Sequence, residues 1–140
     1  AGYINLCPPI VEIGASSDYI ERTHAIKIVA HEVVHVLGFS RFSYKWWRNP
    51  DGTPRTPRDA NGEPVGEGSE SVVHLNKGGK PTNILRTPRT QRAVREHFGC
   101  PTLLGAELED GGSGTTIGSH LEKKLFNTEL MIGDTSAKTP

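Results

Sequence analysis

The clearest pattern of apolar and polar positions lies in residues 18–37. Apolar side chains recur there every three or four positions, which is the spacing of one face of an α-helix. The stripe consists of Ile26, Val29, Val33, Val36 and Leu37. The pattern predicts one long amphipathic helix over about 18–37, with this stripe facing the core.

Both ends of this helix carry residues that start and stop helices. Asp18 precedes it and Glu21 follows three positions later. This is the arrangement of a capping box, in which each side chain accepts a hydrogen bond from the other residue's backbone N–H. Gly38 comes directly after the helix and can adopt the left-handed backbone that ends many helices.

Shorter elements are predicted elsewhere. TPRTQRAVREHFG indicates a second helix, with Thr87 as N-cap, Pro88 at the first helical position and Gly99 at the end. SVVHL and TNILR flank NKGGKP and are interpreted as two short strands. GYINLCPPIVEIG, with its two prolines, is interpreted as an extended segment. LEKKLFNTELMIG predicts a short helical turn followed by a tight apolar turn.

Residues 41–83 contrast with these elements because they are dense in Pro, Gly, Asp and Asn, the residues of turns. A loop this long is uncommon in a compact domain, so we interpret it as an insertion or a functional loop. Of 140 residues only 34% are hydrophobic, whereas 16 are Gly and 10 are Pro, which favours long irregular segments. The prediction is a single α+β domain over 1–140, with the long helix packed on a small sheet.

The balance of positive and negative side chains favours no class of charged partner. Lys and Arg total 16 and Asp and Glu total 16, so nothing electrostatic favours nucleic acid or an anionic membrane. No run of about 18 apolar residues predicts a membrane span, and no signal peptide is recognisable. Because the chain starts and ends abruptly, we expect a piece of a larger protein, with any membrane association made through other regions.

His31, Glu32 and His35 give the long helix its candidate chemistry, in the spacing His-Glu-x-x-His. Residues four apart lie on one helix face, so both histidines can direct a ring nitrogen at one zinc ion. Glu32 projects beside the ion, where its carboxylate can take a proton from a zinc-activated water that attacks a carbonyl. The alternative is two surface histidines on an ordinary helix.

A zinc site of this kind needs a third protein ligand, which the sequence leaves open. In the short metzincin pattern a third histidine comes six positions after the second, but that position is Arg41. The other candidates are Glu63, Glu67, Glu70, His74, His97 and His120. The glutamates lie in loop sequence, whereas the glycine-rich segment before His120 can carry that residue back to the helix. Met131, the only methionine, follows in a tight turn, which is the other metzincin mark.

These stretches together resemble the leishmanolysin (invadolysin-type) family of metzincin zinc metallopeptidases. AGYINLCP is similar to the segment upstream of the family's zinc helix, and HEVVHVLGFS to that helix. TPRTQRAVREHFGCPTLLGAELED resembles the stretch before the third ligand, and GSHLEKKLFNTELMIG the stretch with the third histidine and the methionine turn. In this family an insertion separates the second and third histidines, which agrees with Arg41 and with the long interval 41–119.

The resemblance implies a metzincin-like zinc peptidase core holding one Zn²⁺ ion per chain. It implies His31, His35 and His120 as ligands, Glu32 as catalytic base and Met131 as the Met-turn residue. The expected activity is endopeptidase cleavage of protein or peptide substrates. Two alternatives remain, namely a zinc-retaining adhesion or binding module with little turnover, and a zinc peptidase with a glutamate third ligand. Glu32 favours an enzyme, because a purely structural site needs no base.

The resemblance also divides the chain into a zinc helix at about 18–37, an inserted region at about 41–83 and a third-ligand and Met-turn segment at about 105–133. The family's propeptide and cysteine-rich C-terminal region are expected outside this span. Cys7 and Cys100 are expected to have partners there too, and not to bond to each other. An extracellular, cell-surface or membrane-associated location is implied by the resemblance.

Two further stretches have functional and structural interpretations. RFSYKWWR interleaves cationic and aromatic residues, as in a stacking platform for nucleic acid or a membrane-interface patch, but we expect its aromatics to pack behind the zinc helix. The acidic residues Glu107, Glu109 and Asp110 can bind calcium in principle, but we expect a solvated loop.

Overall fold

The computed structural model describes residues 2–66, 69–111 and 116–133. Its helices in those ranges are α1 (Pro8–Gly14), α2 (Tyr19–Val36), α3 (Pro88–Phe98) and α4 (Lys123–Phe126), and its strands are β1 (Val72–Lys77), β2 (Lys80–Leu85) and β3 (Ala106–Leu108). A short 3₁₀ turn, Tyr44–Trp46, lies between α2 and β1. The architecture is therefore α+β, as the sequence predicts. None of the described helices combines the length and apolar character that a bilayer span requires.

Helix α2 forms where the apolar spacing predicts it, and Asp18 caps it. Asp18 Oδ1 accepts hydrogen bonds from the backbone N–H groups of Ile20 at 2.7 Å and Glu21 at 3.0 Å. The predicted return bond from Glu21 is wrong. Ser16 intervenes: its Oγ accepts from the Asp18 N–H at 3.1 Å and donates to Glu21 Oε2 at 2.7 Å. The N-terminus is thus capped through one additional hydroxyl.

Residues 8–14, interpreted from the sequence as extended, form helix α1 instead. Its two prolines occupy the first turn, where the backbone N–H groups have no partner within the helix and proline therefore loses nothing. Helix α1 packs against α2, and a Cβ added to Gly14 would lie 3.9 Å from Ala25 Cβ. The prolines start a helix here rather than prevent one.

The predicted orientation of the α2 stripe is also wrong. Four of its members are exposed: Ile26 by 61%, Val33 by 39%, Val36 by 41% and Leu37 by 78%. The buried residues of α2 are Ala25 and His31. The main neighbour of α2 among the helices and strands is α1, and not the sheet as predicted. Helical spacing identifies an apolar face but not the segment that covers it.

The sheet contains three antiparallel strands in the order β1-β2-β3. The two predicted strands form the β1–β2 hairpin, with Val72 opposite Leu85. Strand β3, which the sequence patterns do not indicate, pairs with β2 and sets Ala106 opposite Leu85. A Cβ on Gly105 would collide with the Leu85 carbonyl oxygen, so this close approach of the backbones requires glycine.

The apolar core lies on the sheet side of the molecule. Its buried residues are Tyr44, Leu85, Val94, Ala106, Leu108, Phe126 and Ile132. Helix α3 contributes Val94 and is capped as predicted, because Thr87 Oγ1 accepts from the Thr90 N–H at 3.1 Å and Gly99 takes the left-handed conformation. Helix α2 contributes no residue to this core.

The inserted region contains two similar turns that join the helix to the sheet. Arg48 bridges to Pro54 around an Asp-Gly pair, and Arg58 bridges to Pro64 around an Asn-Gly pair. Both glycines have positive φ, 85° and 83°, as turns of this kind require. The segment is therefore built from repeated turns, although its role as an insertion stays a prediction.

The aromatics of RFSYKWWR divide into two pairs. Tyr44 is buried and packs edge-on against Trp47, whose indole N–H donates to the Gly38 carbonyl at 3.0 Å. These two lie behind the end of the zinc helix, as predicted. Phe42 and Trp46 instead remain 67% and 45% exposed. The packing prediction is therefore right for one pair and wrong for the other.

Candidate metal centre

Helix α2 places His31 and His35 on one face, and their Nε2 atoms lie 3.0 Å apart. The opposite ring nitrogen of each is held by a backbone carbonyl. His31 Nδ1 donates to the Leu130 carbonyl at 2.7 Å, and His35 Nδ1 donates to the Phe39 carbonyl at 2.6 Å. A carbonyl oxygen can only accept, so in both rings the proton lies on Nδ1 and Nε2 carries a lone pair.

The carbonyl that orients His35 depends on how α2 ends. Gly38 has φ of 109°, and its N–H donates to the His35 carbonyl at 2.9 Å. The Phe39 N–H then reaches back to the Val34 carbonyl at 3.1 Å. This pair of bonds is a Schellman motif, which needs glycine at the left-handed position. The predicted helix stop therefore also positions a site residue.

His120 completes the cluster from a distant part of the chain. Its Nε2 lies 3.2 Å from His31 Nε2 and 3.1 Å from His35 Nε2. Its Nδ1 donates to the Thr116 carbonyl at 3.1 Å, so its proton too lies on the outer nitrogen. The segment is fixed on both sides, because the Glu109 N–H donates to the His120 carbonyl at 2.9 Å and the Leu121 N–H donates to the Met131 carbonyl at 2.7 Å.

Three lone pairs therefore converge on one point, and this arrangement fits a zinc ion. A neutral imidazole has one N–H, which each ring already uses on a carbonyl, so no Nε2 can donate to another. Lone pairs this close repel one another unless a cation lies between them. Around a tetrahedral zinc ion with Zn–N bonds of about 2.0–2.1 Å, nitrogens lie about 3.3–3.4 Å apart, close to the observed spacing. The three histidines can hold one metal ion.

Burial favours the neutral, ligating form of His120. His31 and His120 are buried, and His35 is half-buried. Burial lowers the pKa of His120 below its ordinary value, and the neighbouring His35 and His31 lower it further. The Thr116 carbonyl and Glu32 act in the opposite direction but do not reverse the shift. A lowered pKa keeps the ring unprotonated near neutral pH, as a metal ligand requires.

Glu32 lies beside the cluster, in a cleft of about 660 Å³ that His35 and His120 also line. It is half-buried, so its carboxylate is accessible from the cleft and partly shielded from bulk water. The far wall comes from the segment of residues 3–10 ahead of and in α1. A peptide lying in this cleft would pass both the histidine nitrogens and a carboxylate.

The other candidate ligands lie away from the cluster or outside the described residues. His74 is exposed on β1 and its Nδ1 donates to Asn83 Oδ1 at 2.6 Å, while His97 is exposed on α3. Glu63 and Glu70 are exposed in the turns of the inserted region. Glu67 falls outside the described residues.

Met131 and the two cysteines can also be located. Met131 is buried, with 7% of its surface exposed, in the turn whose carbonyls bind His31 and the backbone after His120. In the next turn, a Cβ on Gly133 would lie 3.5 Å from His120 Cγ. Cys7 and Cys100 are not bonded to each other in the structure. Their pairing with cysteines outside this chain stays a prediction.

Two features of the site have no signal in the sequence patterns. The carbonyls that orient the rings belong to Leu130, Phe39 and Thr116, and a backbone carbonyl leaves no mark on residue identity. Residues 3–10, which form one wall of the cleft, belong to a segment that the sequence predicts to be extended and for which it indicates no function. The family resemblance places AGYINLCP upstream of the zinc helix in sequence and gives it no role in the site.

Comparison with known proteins agrees with the family resemblance seen in the sequence. The sequence profile of the family described as leishmanolysin matches residues 2–139. The chain is 40% identical over 152 residues to a leishmanolysin-like peptidase of Drosophila melanogaster and 33% identical over 157 residues to one of Caenorhabditis briggsae. Each alignment covers 95% of this chain and 22% of the relative. No solved structure matches it significantly.

A more distant relative is the leishmanolysin of Leishmania donovani, which is 27% identical over 130 residues, or 93% of this chain and 18% of that protein. The chain thus spans about a fifth of the length of the curated relatives that it matches.

Proposed function

Because the chain belongs to the leishmanolysin family of peptidases, we propose that it forms the catalytic centre of a zinc-dependent endopeptidase. The observation that carries the proposal is the convergence of three Nε2 atoms within 3.0–3.2 Å of one another. His31, His35 and His120 are the proposed ligands of one zinc ion. These three residues would hold the ion, and with three protein ligands it would keep one position open for water or substrate, as catalytic zinc sites do.

Glu32 is the proposed general base, and its position supports this role. It neighbours His31 in sequence and shares the cleft with His35 and His120, so it can reach a water molecule without displacing a histidine. A bound zinc ion supplies Lewis acidity, which polarises a carbonyl and lowers the pKa of water to about 7. The Glu32 carboxylate accepts the proton as the water oxygen attacks the scissile carbonyl. It returns that proton to the leaving amine nitrogen as the peptide bond breaks.

Met131 is assigned the Met-turn position beneath the ligands. Its turn supplies the Leu130 carbonyl that holds His31 and the Met131 carbonyl that fixes the backbone beside His120. The side chain itself fills the protein interior. In this proposal the turn orients two of the three ligands through its backbone, and groups of this kind matter to affinity for a metal.

The substrates proposed for the whole protein are proteins or peptides. The proposed location is extracellular or cell-surface, with any membrane attachment outside this chain. Both proposals rest on the family alone. The position of His120 beside the other two histidines supports it over the glutamate-ligand alternative, and the described candidates Glu63 and Glu70 lie exposed in turns.

The substitution Glu32→Gln tests the enzyme against the binding module. Glutamine keeps the size and hydrogen bonding of the side chain but cannot accept the proton. In the full-length protein we expect zinc content near one ion per chain to persist, while hydrolysis of a mixed peptide pool falls about 100-fold or more. The matched control is Glu96→Gln on the exposed side of α3, with a chelator to confirm metal dependence.

Each other outcome has a separate meaning. Loss of zinc in Glu32→Gln would make Glu32 structural or a ligand, and unchanged cleavage would exclude it as the base. A folded, zinc-loaded wild type that cleaves nothing would favour the binding module. Native protein without zinc, prepared without chelators, would contradict the metal centre itself.

A further inference from the structure

Arg41 stands at the edge of the cleft, directly beside the third histidine. Its backbone N–H donates to Ser119 Oγ at 3.3 Å, one residue before His120. A Cβ added to Gly118 would lie 3.5 Å from Arg41 Cβ, so the backbone leading to His120 passes under the arginine stem. Arg41 lines the same cleft as Glu32 and His120. Its position is therefore fixed relative to the proposed site of cleavage.

Among the described residues, no carboxylate forms an ion pair with the guanidinium group of Arg41. The guanidinium group lies 4.6 Å from the centre of the Phe42 ring, a cation–π contact that restrains the group but leaves its charge intact. Neither of the two ion pairs among the described residues involves it, since these join Lys77 to Glu107 and Lys80 to Asp110. Arg41 is exposed and lines the cleft, so its guanidinium group is accessible to solvent.

Few other residues that line the cleft are charged. Its charged side chains are Glu32 and Arg41, apart from the histidines of the cluster. Much of the remaining wall is apolar, with Ile4, Leu6 and Val36 among its members. The ion pairs of the described residues do not join Glu32 to Arg41. A substrate peptide would thus meet one fixed positive charge in largely apolar surroundings.

We propose that Arg41 is a specificity-determining residue that binds a carboxylate of the peptide substrate close to the scissile bond. The inference rests on the proposed peptidase function. Guanidinium groups match carboxylates in geometry and bind them through two parallel N–H···O bonds. The carboxylate comes either from an Asp or Glu side chain within the peptide or from its C-terminus. Lysine and arginine at the same substrate position meet like charge and are rejected.

The test measures selectivity of the full-length, zinc-loaded protein. Quenched fluorescent peptides of one sequence carry Glu, Gln or Lys at each of three positions on either side of the cleaved bond. Each peptide is made with an amidated and with a free C-terminus, which separates a side-chain carboxylate from a terminal one. We expect the wild type to prefer a carboxylate over its neutral counterpart at one place by about tenfold in kcat/KM, or about 1.4 kcal/mol.

Charge reversal gives the decisive comparison. Arg41→Gln should remove the preference, and Arg41→Glu should invert it in favour of Lys, whereas a merely structural role would lower all rates together. The matched control is Arg92→Glu on the exposed surface of α3, which should keep the wild-type ratios. Raising the salt concentration should reduce the wild-type preference, because exposed charges are screened.

The contrary results are equally specific. Wild-type ratios retained in Arg41→Glu would overturn the assignment, and so would loss of zinc in both Arg41 variants, which would make the residue structural. A wild type that cleaves the peptides without regard to charge would also overturn it while leaving the peptidase intact. A zinc-loaded wild type that cleaves none of them would instead contradict the proposed function.

Discussion

The two sides of this molecule are built by different means. The sheet side, which comprises β1–β3, α3 and α4, surrounds a cluster of seven buried apolar residues. The helical pair α1 and α2 buries little, since no residue of α1 is buried and α2 buries only Ala25 and His31. Apolar burial is therefore concentrated on the sheet side, and the helical pair has less of it.

Polar contacts between the two sides include those around the histidines. His31 binds the Leu130 carbonyl, and the His31, His35 and His120 rings meet. Elsewhere the Trp47 indole donates to the Gly38 carbonyl. A metal ion at the cluster would join the sides through bonds far stronger than these hydrogen bonds. A bound ion would therefore stabilise the helical pair as well as take part in the chemistry.

The largest effect should follow from removing the ligand that the sheet side supplies. We expect His120→Ala to lower zinc affinity by more than about 100-fold, because changing residues that merely orient ligands costs about 10- to 100-fold. Without the ion, backbone amides of α2 should lose protection from hydrogen exchange, whereas those of β1 and β2 keep it. Hydrogen exchange with mass spectrometry, with and without chelator, measures both sides in one sample.

The matched control for that experiment is His74→Ala, because His74 is exposed on β1 and lies outside the cluster. It should change neither zinc content nor the protection of α2. Release of zinc by His74→Ala or Glu70→Ala, with His120→Ala unaffected, would show that the third ligand lies elsewhere. Equal loss of protection on both sides would show that the molecule unfolds as one unit.

A second experiment compares two aliphatic truncations of similar size, one on each side. Leu108 is 1% exposed at the centre of the core, so Leu108→Ala should lower the free energy of unfolding by about 2–5 kcal/mol. Ile26 is 61% exposed on α2, and Ile26→Ala should change the free energy of unfolding by no more than about 0.5 kcal/mol. Urea unfolding of the zinc-loaded proteins measures both. A cost at Ile26 approaching that at Leu108 would mean that the stripe on α2 is covered.

The sequence predicts those parts of the fold that local chemistry determines. Asp18, Thr87 and Gly99 cap their helices as expected, because capping depends on residues within one turn. The hairpin follows from two short apolar runs around a glycine pair. The errors concern long-range packing. Spacing could not reveal that α1 would form or that the α2 stripe would stay exposed, because both depend on which segments meet.

The metal centre shows the same limit. His31 and His35 are identifiable from spacing alone, since one helix presents both. His120 lies 85 positions beyond His35, so the residues alone left it among six candidates, favoured by the glycine-rich segment before it, and the family resemblance then implied it as the ligand. The carbonyls that fix the ring tautomers were unpredictable in principle, because every residue has one. The roles of Glu32 and Met131 stay predictions until activity is measured.

The smallest expected effect concerns a single hydroxyl in the core of the sheet side. Tyr44 is 2% exposed, and its hydroxyl has no hydrogen-bond partner among the described residues. A buried polar group without a partner costs free energy, so Tyr44→Phe should leave the free energy of unfolding at pH 7 unchanged or raise it by up to about 1 kcal/mol. Tyr19→Phe, at a 72% exposed position on α2, is the matched control and should have no effect.

The stability difference between wild type and Tyr44→Phe should depend on pH. Burial raises the pKa of Tyr44 above its ordinary value, so the folded protein keeps the phenolic proton at a pH where the unfolded chain loses it. Above about pH 10 the unfolded state therefore binds fewer protons, and stability falls as pH rises, by at most about 1.4 kcal/mol per pH unit from this group. Phenylalanine has no proton to lose, so Tyr44→Phe should flatten the alkaline fall, and its advantage over the wild type should grow from pH 10 upward. Urea midpoints measured from pH 7 to pH 11 would reveal the divergence. If the urea midpoints of the two proteins change in parallel with pH, the Tyr44 hydroxyl has a hydrogen-bond partner or contacts water in the folded state. The core of the sheet side would then exclude water less completely than its apolar burial indicates.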